Sequence, residues 1–122
     1  MKKLLIVTAV IELGAGAVLL CCPSPAAKLL LNVPLETLAA LTVARLGGAG
    51  LLSLGVACWL ARYDAQSCAA RGLVSAMVLY NLGAVVILGA AGVLSQPVGI
   101  ALWPAVVLHA AMTFWCITNL RK

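Results

Sequence analysis

Four long apolar runs occupy most of this chain and leave it very few folds. They cover residues 4–22, 35–61, 72–94 and 98–120, and 65% of the 122 residues are apolar while only 9% are charged. A helix of about 20 apolar residues crosses the ~30 Å hydrocarbon core of a bilayer. The sequence therefore predicts an all-α polytopic membrane protein, a single domain in which four transmembrane helices form an up-down bundle.

The basic residues predict the orientation of this bundle. A four-span chain places its N-terminus, its second loop and its C-terminus on one side of the membrane. Six basic residues belong to that side: Lys2, Lys3, Arg62, Arg71, Arg121 and Lys122. By the positive-inside rule we expect both termini in the cytoplasm of a bacterial inner membrane. This placement also argues against nucleic acid as a partner, in spite of the net charge of +5.

The connections between the runs carry their own signals. Residues 23–33 begin with prolines and continue with apolar residues around Lys28, which predicts a short helix in the headgroup layer of the bilayer. Pro34 suits the first turn of the second span. Residues 95–97 predict a tight turn, so the third and fourth spans should be an antiparallel pair.

The first run also allows a second interpretation. Two lysines followed by an apolar run, with small residues at 24–26, are compatible with a cleaved signal peptide. The run is long for such a peptide, however, and Glu12 lies at its centre. We therefore expect this run to be retained as the first span.

Each run carries one strongly polar residue near its middle, and together these form a quartet: Glu12, Arg45, Asn81 and His109. Such residues are costly in hydrocarbon and usually face each other or a wet cavity. At 1.5 Å per residue, three of them lie about 12 to 16 Å from the nearer ends of their spans, and Arg45 about 10 to 15 Å. We predict that the quartet converges as a ligand- or proton-binding site, with at least an ion pair between Glu12 and Arg45.

Two functions remain open for this quartet. In the first, its contacts only hold the bundle together, and the protein is an accessory or interaction subunit or a homo-oligomer. A small-residue ladder in line with Arg45, formed by Ala49, Ser53 and Ala57, would let another helix approach closely. In the second, the protein is a proton-coupled small-molecule transporter or channel in which Glu12 and His109 exchange protons or hold a polar ligand.

Three further residues are predicted to support this site. Pro104 cannot donate to the carbonyl of Ile100, so we expect a kink in the fourth span that opens this carbonyl toward His109. Trp103 is also typical of a residue that anchors a helix at the membrane interface. Thr113 lies four residues after His109 on the same face of the helix.

Two short segments of the sequence are weakly similar to each other. Residues 12–15 read Glu-Leu-Gly-Ala and residues 81–84 read Asn-Leu-Gly-Ala, in spans that run in the same direction. Arg45 and His109 then occupy comparable places in the second and fourth spans. This pattern favours two repeated hairpins, although chance is the simpler interpretation in a chain rich in Leu, Ala, Val and Gly.

No signature of a standard enzyme is present. The chain has no phosphate-binding loop, nucleophile elbow or HExxH motif, and we predict no catalytic residue, metal or cofactor. A membrane enzyme that acts on a lipid or quinone would have no motif to support it. Cys58, Cys68 and Cys116 all fall near the cytoplasmic edge and could form a thiolate metal or redox site, but helix packing explains them more simply.

Two resemblances rest on the size of the chain, its four spans and a few residues within them. A lone Glu12 in the first of four spans resembles the small multidrug resistance transporters, which are dimeric proton antiporters whose membrane glutamate binds a proton or a cation in turn. That resemblance implies a proton- or cation-binding role for Glu12. Residues 45–47, Arg-Leu-Gly, resemble the DoxX-like group of small bacterial membrane proteins, which implies association with redox partners.

Overall fold

The computed structural model describes residues 1–95 and 97–121, so Gln96 of the predicted third turn and the basic Lys122 lie outside the described residues. Within these ranges the chain is helical and has no strand. Four of its helices are long and apolar enough to cross a membrane, which confirms the all-α class and the number of candidate spans. The described residues form five α-helices, which are α1 (Lys2–Cys21), α2 (Pro23–Leu31), α3 (Leu38–Ala61), α4 (Cys68–Leu94) and α5 (Leu102–Leu120), and a short 3-10 helix (Arg62–Asp64) follows α3.

Capping residues, rather than the ends of the apolar runs, decide where two of these helices begin. The Thr37 hydroxyl accepts a hydrogen bond from the amide of Ala40, and the Ser67 hydroxyl accepts one from the amide of Ala70. Such caps satisfy amides that have no partner inside the helix. Consequently α3 begins after Pro34, which is not in its first turn as predicted, and α4 begins four residues before the predicted span.

The predicted kink at Pro104 is wrong. Because α5 begins at Leu102, Pro104 is its third residue and Ile100 precedes the helix. Amides in the first turn of a helix have no intrahelical partner, so a proline there removes no hydrogen bond. The first bond of this turn runs instead from the amide of Ala105 to the carbonyl of Ala101.

The long helices form two antiparallel hairpins, α1 with α3 and α4 with α5. In the first hairpin the backbones touch at two glycines. A Cβ atom on Gly16 would lie 2.7 Å from the carbonyl oxygen of Gly48, and one on Gly48 would lie 2.8 Å from that of Gly16. In the second hairpin the Arg71 side chain donates to the carbonyl of Leu120, which joins the start of α4 to the end of α5.

The two hairpins meet mainly at the end of the bundle that carries the N-terminus, which we call the closed end. All four long helices contribute buried residues to one core there. Between the hairpins contacts are otherwise sparse, so they separate toward the opposite end. The members of the core are Leu4, Leu5, Ala9, Cys58, Ala70, Val74, Met77, Met112 and Cys116.

Helix α2 lies across the opposite end, which we call the α2 end. The amides of Gly99 and Ala101 donate to the carbonyls of Leu30 and Leu29, so the segment before α5 is joined to the last turn of α2. A Cβ atom at position 99 would overlap the Leu29 backbone, and only glycine permits this approach. The helix predicted within residues 23–33 is therefore present, and it connects the two hairpins.

Candidate functional site

A cleft of about 600 Å³ lies between the two hairpins, above the core of the closed end. Residues from all five α-helices line it, and most of them are Leu, Ile, Ala or Gly. Three side chains in its wall are polar: Glu12 from α1, Tyr80 from α4 and His109 from α5. An apolar pocket with a few convergent polar groups is typical of a small-molecule site.

Glu12 is buried in the wall of the cleft without a hydrogen-bond partner among the described residues. Its side chain is only 3% exposed. No hydrogen bond or ion pair involves it among residues 1–95 and 97–121. In the same ranges every fully buried side-chain oxygen or nitrogen has a partner. The oxygens of this carboxyl group must therefore reach the surface of the cleft.

Asn81 and His109 join α4 to α5 through a side-chain hydrogen bond. Asn81 is 2% exposed, its amide nitrogen donates to the carbonyl of Met77 over 2.8 Å, and its Oδ1 lies 2.7 Å from Nδ1 of His109. A carbonyl oxygen only accepts, so the amide nitrogen must face Met77 and Oδ1 must face the imidazole. His109 therefore carries its proton on Nδ1 when the ring is neutral, and Nε2 is left as a proton acceptor.

Tyr80 completes the polar wall of the cleft. Its ring packs edge-on against the imidazole of His109, with 5.7 Å between centroids and an angle of 82° between the planes. No hydrogen bond of its hydroxyl group or of Nε2 of His109 occurs in the described part of the chain. Because every fully buried side-chain oxygen or nitrogen in the described ranges has a partner, both atoms must reach a surface, as the oxygens of Glu12 do. The cleft thus presents a carboxyl group, an imidazole nitrogen and a phenol to a ligand.

Tyr80 is not among the site residues predicted from the sequence. The sequence does contain a signal for it. Tyr80 directly precedes Asn81 and lies far from either end of its apolar run, whereas tyrosine is usually found near the ends of such runs. A tyrosine at that depth needs a partner for its hydroxyl group.

Arg45 does not join the other members of the quartet. It is exposed, and no ion pair with Glu12 exists in the described ranges, so the predicted pair is wrong for this chain by itself. The contact between Gly16 and Gly48 gives the reason. Because α1 and α3 are antiparallel, Glu12 lies four residues from this contact toward the closed end, whereas Arg45 lies three residues from it toward the opposite end. About 10 Å along the helix axes therefore separates the two residues. The ladder of Ala49, Ser53 and Ala57 is exposed as well.

The three predicted supporting residues lie outside the lining of the cleft. Trp103 packs against Gly92, where an added Cβ atom would lie 3.0 Å from its ring. Pro104 is exposed in the first turn of α5. The hydroxyl group of Thr113 donates to the carbonyl of His109 in its own helix over 2.8 Å, so it acts on the backbone and not on the imidazole.

The cysteines do not form a metal site in the described part of the chain. Cys58 and Cys116 are buried in the core of the closed end, whereas Cys68 is exposed at the start of α4. Residues 1–95 and 97–121 contain no group of three His, Cys, Asp or Glu residues that could hold a metal ion.

Comparison with family models, with curated proteins and with solved structures gives no match to this chain. The resemblances to small multidrug resistance transporters and to DoxX-like proteins therefore stay predictions. Inferences about function have to start from the cleft and from the three polar groups that reach its surface.

Proposed function

We propose that this is an integral protein of a bacterial inner membrane, with both termini in the cytoplasm. The four long apolar helices support insertion. Their closed end carries Lys2, Lys3, Arg62 and Arg71, and the positive-inside rule assigns an end of this kind to the cytoplasm. In this arrangement the cleft lies at the depth of the hydrocarbon, and its mouth belongs to the outer half of the membrane.

We further propose that the cleft binds a small molecule as the substrate of a proton-coupled transporter, with Glu12 and His109 as the proton-binding groups. The observation that carries this proposal is the carboxyl group of Glu12, which is almost fully buried and has no partner among the described residues. A carboxylate in an apolar setting is stable only when it binds a proton or faces a donor or cation. Glu12 can therefore exchange a proton for a ligand that donates a hydrogen bond.

A purely structural role fits Asn81 but not Glu12. Asn81 has its hydrogen-bonding groups satisfied by Met77 and His109, as expected of a residue that holds two helices together. Within residues 1–95 and 97–121, Glu12 makes no hydrogen bond across helices, so its burial adds no such contact and still carries the cost of desolvation. A ligand or proton that occupies the cleft would compensate for this cost.

The test measures binding of a defined probe, dodecylamine, to the protein in lipid nanodiscs. The chain contains a single histidine, so labelling histidine with ¹⁵N provides one imidazole as the reporter. Glu12→Gln keeps the size of the side chain and removes its charge. We expect the affinity for dodecylamine to fall about tenfold or more, since a hydrogen bond to a charged group contributes about 1.5–3 kcal/mol.

Glu36→Gln is the matched control. Glu36 is exposed before the start of α3 and does not line the cleft, so the same loss of charge there should leave binding unchanged. Equal affinities of the Glu12→Gln variant and the unaltered protein would overturn the proposal.

A second candidate function is an interaction subunit or a homo-oligomer. The observation in its favour is the exposed ladder of Ala49, Ser53 and Ala57, whose small side chains permit close packing of helices. Sedimentation of the purified protein in detergent tests it. Ser53→Phe should then dissociate the complex, whereas Ala110→Phe, on the exposed face of α5, should not. If the unaltered chain sediments as a monomer at all concentrations, the homo-oligomer is excluded.

A further inference from the structure

The mouth of the cleft opens through the side of the bundle. Leu79 and Ile87 both line the cleft, yet they are 75% and 70% exposed. At 1.5 Å per residue, Leu79 lies about 16 Å from the start of α4 and Ile87 about 10 Å from its end. In the proposed orientation these exposed side chains lie in the hydrocarbon, so the mouth faces lipid chains and not water.

Both ends of the bundle are less open than its side. At the closed end, the core residues Leu5, Cys58 and Met77 are buried below Glu12. At the α2 end, Leu30 lines the cleft, and its carbonyl accepts a hydrogen bond from the amide of Gly99. Helix α2 and the segment before α5 therefore lie between the cleft and the external water.

We infer that the ligand enters the cleft sideways from the hydrocarbon of the bilayer, and that it is a lipophile carrying one group that donates a hydrogen bond. This inference rests on the proposed function, because it assigns the substrate class and the access route of the same site. A molecule that arrives through lipid must be mainly apolar, and the Leu, Ile and Ala wall of the cleft suits such a body.

The polar groups of the cleft select the head of this lipophile. Nε2 of neutral His109 accepts a proton, since the bond to Asn81 occupies Nδ1. The carboxylate of Glu12 also accepts, and only the hydroxyl group of Tyr80 donates. An ammonium group can donate to both acceptors and a hydroxyl group to one of them, whereas an ether or an ester donates to neither.

Spin-label accessibility tests the access route without any ligand. A nitroxide is attached at Ala84→Cys, within the cleft wall, after Cys21, Cys22 and Cys68 have been replaced by serine. Cys58 and Cys116 remain, because they are buried. Collisions of the nitroxide with oxygen, which concentrates in lipid, and with a water-soluble nickel chelate are then compared in phosphatidylcholine vesicles.

Two labels on the same helix provide the references. Val86→Cys, at a position that is 62% exposed on the outer face of α4, gives the hydrocarbon reference, and a label on Cys68 gives the reference for an exposed helix end. We expect the Ala84 label to collide with oxygen about as often as the Val86 label and rarely with the nickel chelate. Leu88→Cys, also in the cleft wall, gives the same comparison if the Ala84 variant does not fold.

Frequent collisions with the nickel chelate would overturn the inference, because they would mean that the cleft is open to water. Few collisions with either reagent would also overturn it, because the cleft would then be sealed. In both cases a loss of dodecylamine binding in Glu12→Gln would leave the proposed function standing. Conversely, access to oxygen combined with unchanged binding in Glu12→Gln would remove the proposed function and retain the lateral route.

The assignment of the head group has a matched set of probes. Dodecanol and dodecylamine both donate a hydrogen bond, whereas methoxydodecane has a similar chain and donates none. We expect the first two, but not the third, to shift the Nε2 resonance of ¹⁵N-labelled His109. An equal shift from methoxydodecane would show that the chain alone is recognised, and would overturn this assignment.

Discussion

The two hairpins of this protein have the same topology but use different means to hold their helices together. In the α1–α3 hairpin, the backbones touch at Gly16 and Gly48, and the polar residues Glu12 and Arg45 do not meet. In the α4–α5 hairpin, the polar residues form the contact, through the hydrogen bond between Asn81 and His109. In the part of the chain that the structure describes, the first hairpin therefore leaves the carboxyl group of Glu12 without a partner, whereas the second gives partners to both ends of the Asn81 amide.

This difference teaches that depth counted along each apolar run does not decide which polar residues meet, because the register of the packed helices also sets their depth. Glu12 and Asn81 begin similar four-residue sequences in helices of the same direction, and both are buried. Their partners differ because close packing sets the register of one helix against the other. The contact between Gly16 and Gly48 leaves Arg45 about 10 Å from Glu12 along the helix axes, while His109 on α5 lies level with Asn81. The two antiparallel hairpins fit the repeat hypothesis in outline, but their polar contacts are not repeated.

The largest effect on stability is expected at the contact between the two glycines of the first hairpin. In Gly48→Ala the new methyl group would lie 2.8 Å from the carbonyl oxygen of Gly16 and from the amide of Leu20. We expect the free energy of unfolding to fall by about 1–3 kcal/mol, the usual cost of overpacking. Titration of the detergent-solubilised protein with sodium dodecyl sulfate would measure this change.

Gly50→Ala is the control for this first prediction. Nothing lies within 4 Å of a Cβ atom at Gly50, so only the gain in helix propensity remains, and it should stabilise the protein by up to about 1 kcal/mol. Both substitutions share this propensity term, and the difference between them isolates the steric overlap at Gly48. Equal stability of the two variants would mean that the helices are not in close contact.

A smaller effect is expected at the polar contact of the second hairpin. Asn81→Ala removes the hydrogen bond to His109, and the free energy of unfolding should fall by about 0.6–1.7 kcal/mol. Without Oδ1 of Asn81, the neutral imidazole is no longer held with its proton on Nδ1. The ¹⁵N spectrum of His109 should therefore change from one tautomer to a mixture of two.

Asn119→Ala provides the control for this second prediction. The Asn119 amide nitrogen donates to the carbonyl of Trp115 four residues earlier, as that of Asn81 does to Met77, but Asn119 makes no hydrogen bond with His109. Its replacement should leave the imidazole spectrum unchanged. A protein in which His109 already carries its proton on Nε2 would contradict the geometry of this contact.

The smallest effect is expected where the first hairpin lacks a polar contact. In a double-mutant cycle with Glu12→Gln and Arg45→Gln, the coupling energy should be below about 0.5 kcal/mol, as for residues that share no contact. The corresponding cycle for Asn81→Ala and His109→Ala should give a coupling energy of about 0.6–1.7 kcal/mol, as for a hydrogen bond between helices. A strong coupling between Glu12 and Arg45 would show that the two meet in the assembled protein.

Much of the fold follows from patterns that can be read along the chain. The four apolar runs predict the number of long helices, because hydropathy and helix length are properties of contiguous residues. The helix ends were predicted less well, since Thr37 and Ser67 cap helices at places that do not coincide with the borders of the apolar runs. The predicted kink at Pro104 was wrong for the same reason, because the prediction depended on where α5 begins.

The candidate site follows from the sequence only in part. Glu12, Asn81 and His109 could be selected because polar residues within apolar runs are rare and costly. The exclusion of Arg45 and the inclusion of Tyr80 could not be predicted in this way. The place of Arg45 depends on the register of α3 against α1, and that of Tyr80 on the rotation of α4, and packing against another helix sets both.

The sequence by itself thus determined the class of the protein, the four long helices and the polar residues that need partners, because hydropathy and charge are local. The tertiary structure alone decided which partners these residues have. The approach of Gly16 to Gly48 leaves Arg45 about 10 Å from Glu12 along the helix axes, and the separation of the two hairpins leaves a cleft beside Glu12. Contacts between distant segments depend on the register and spacing of the helices, and packing sets both.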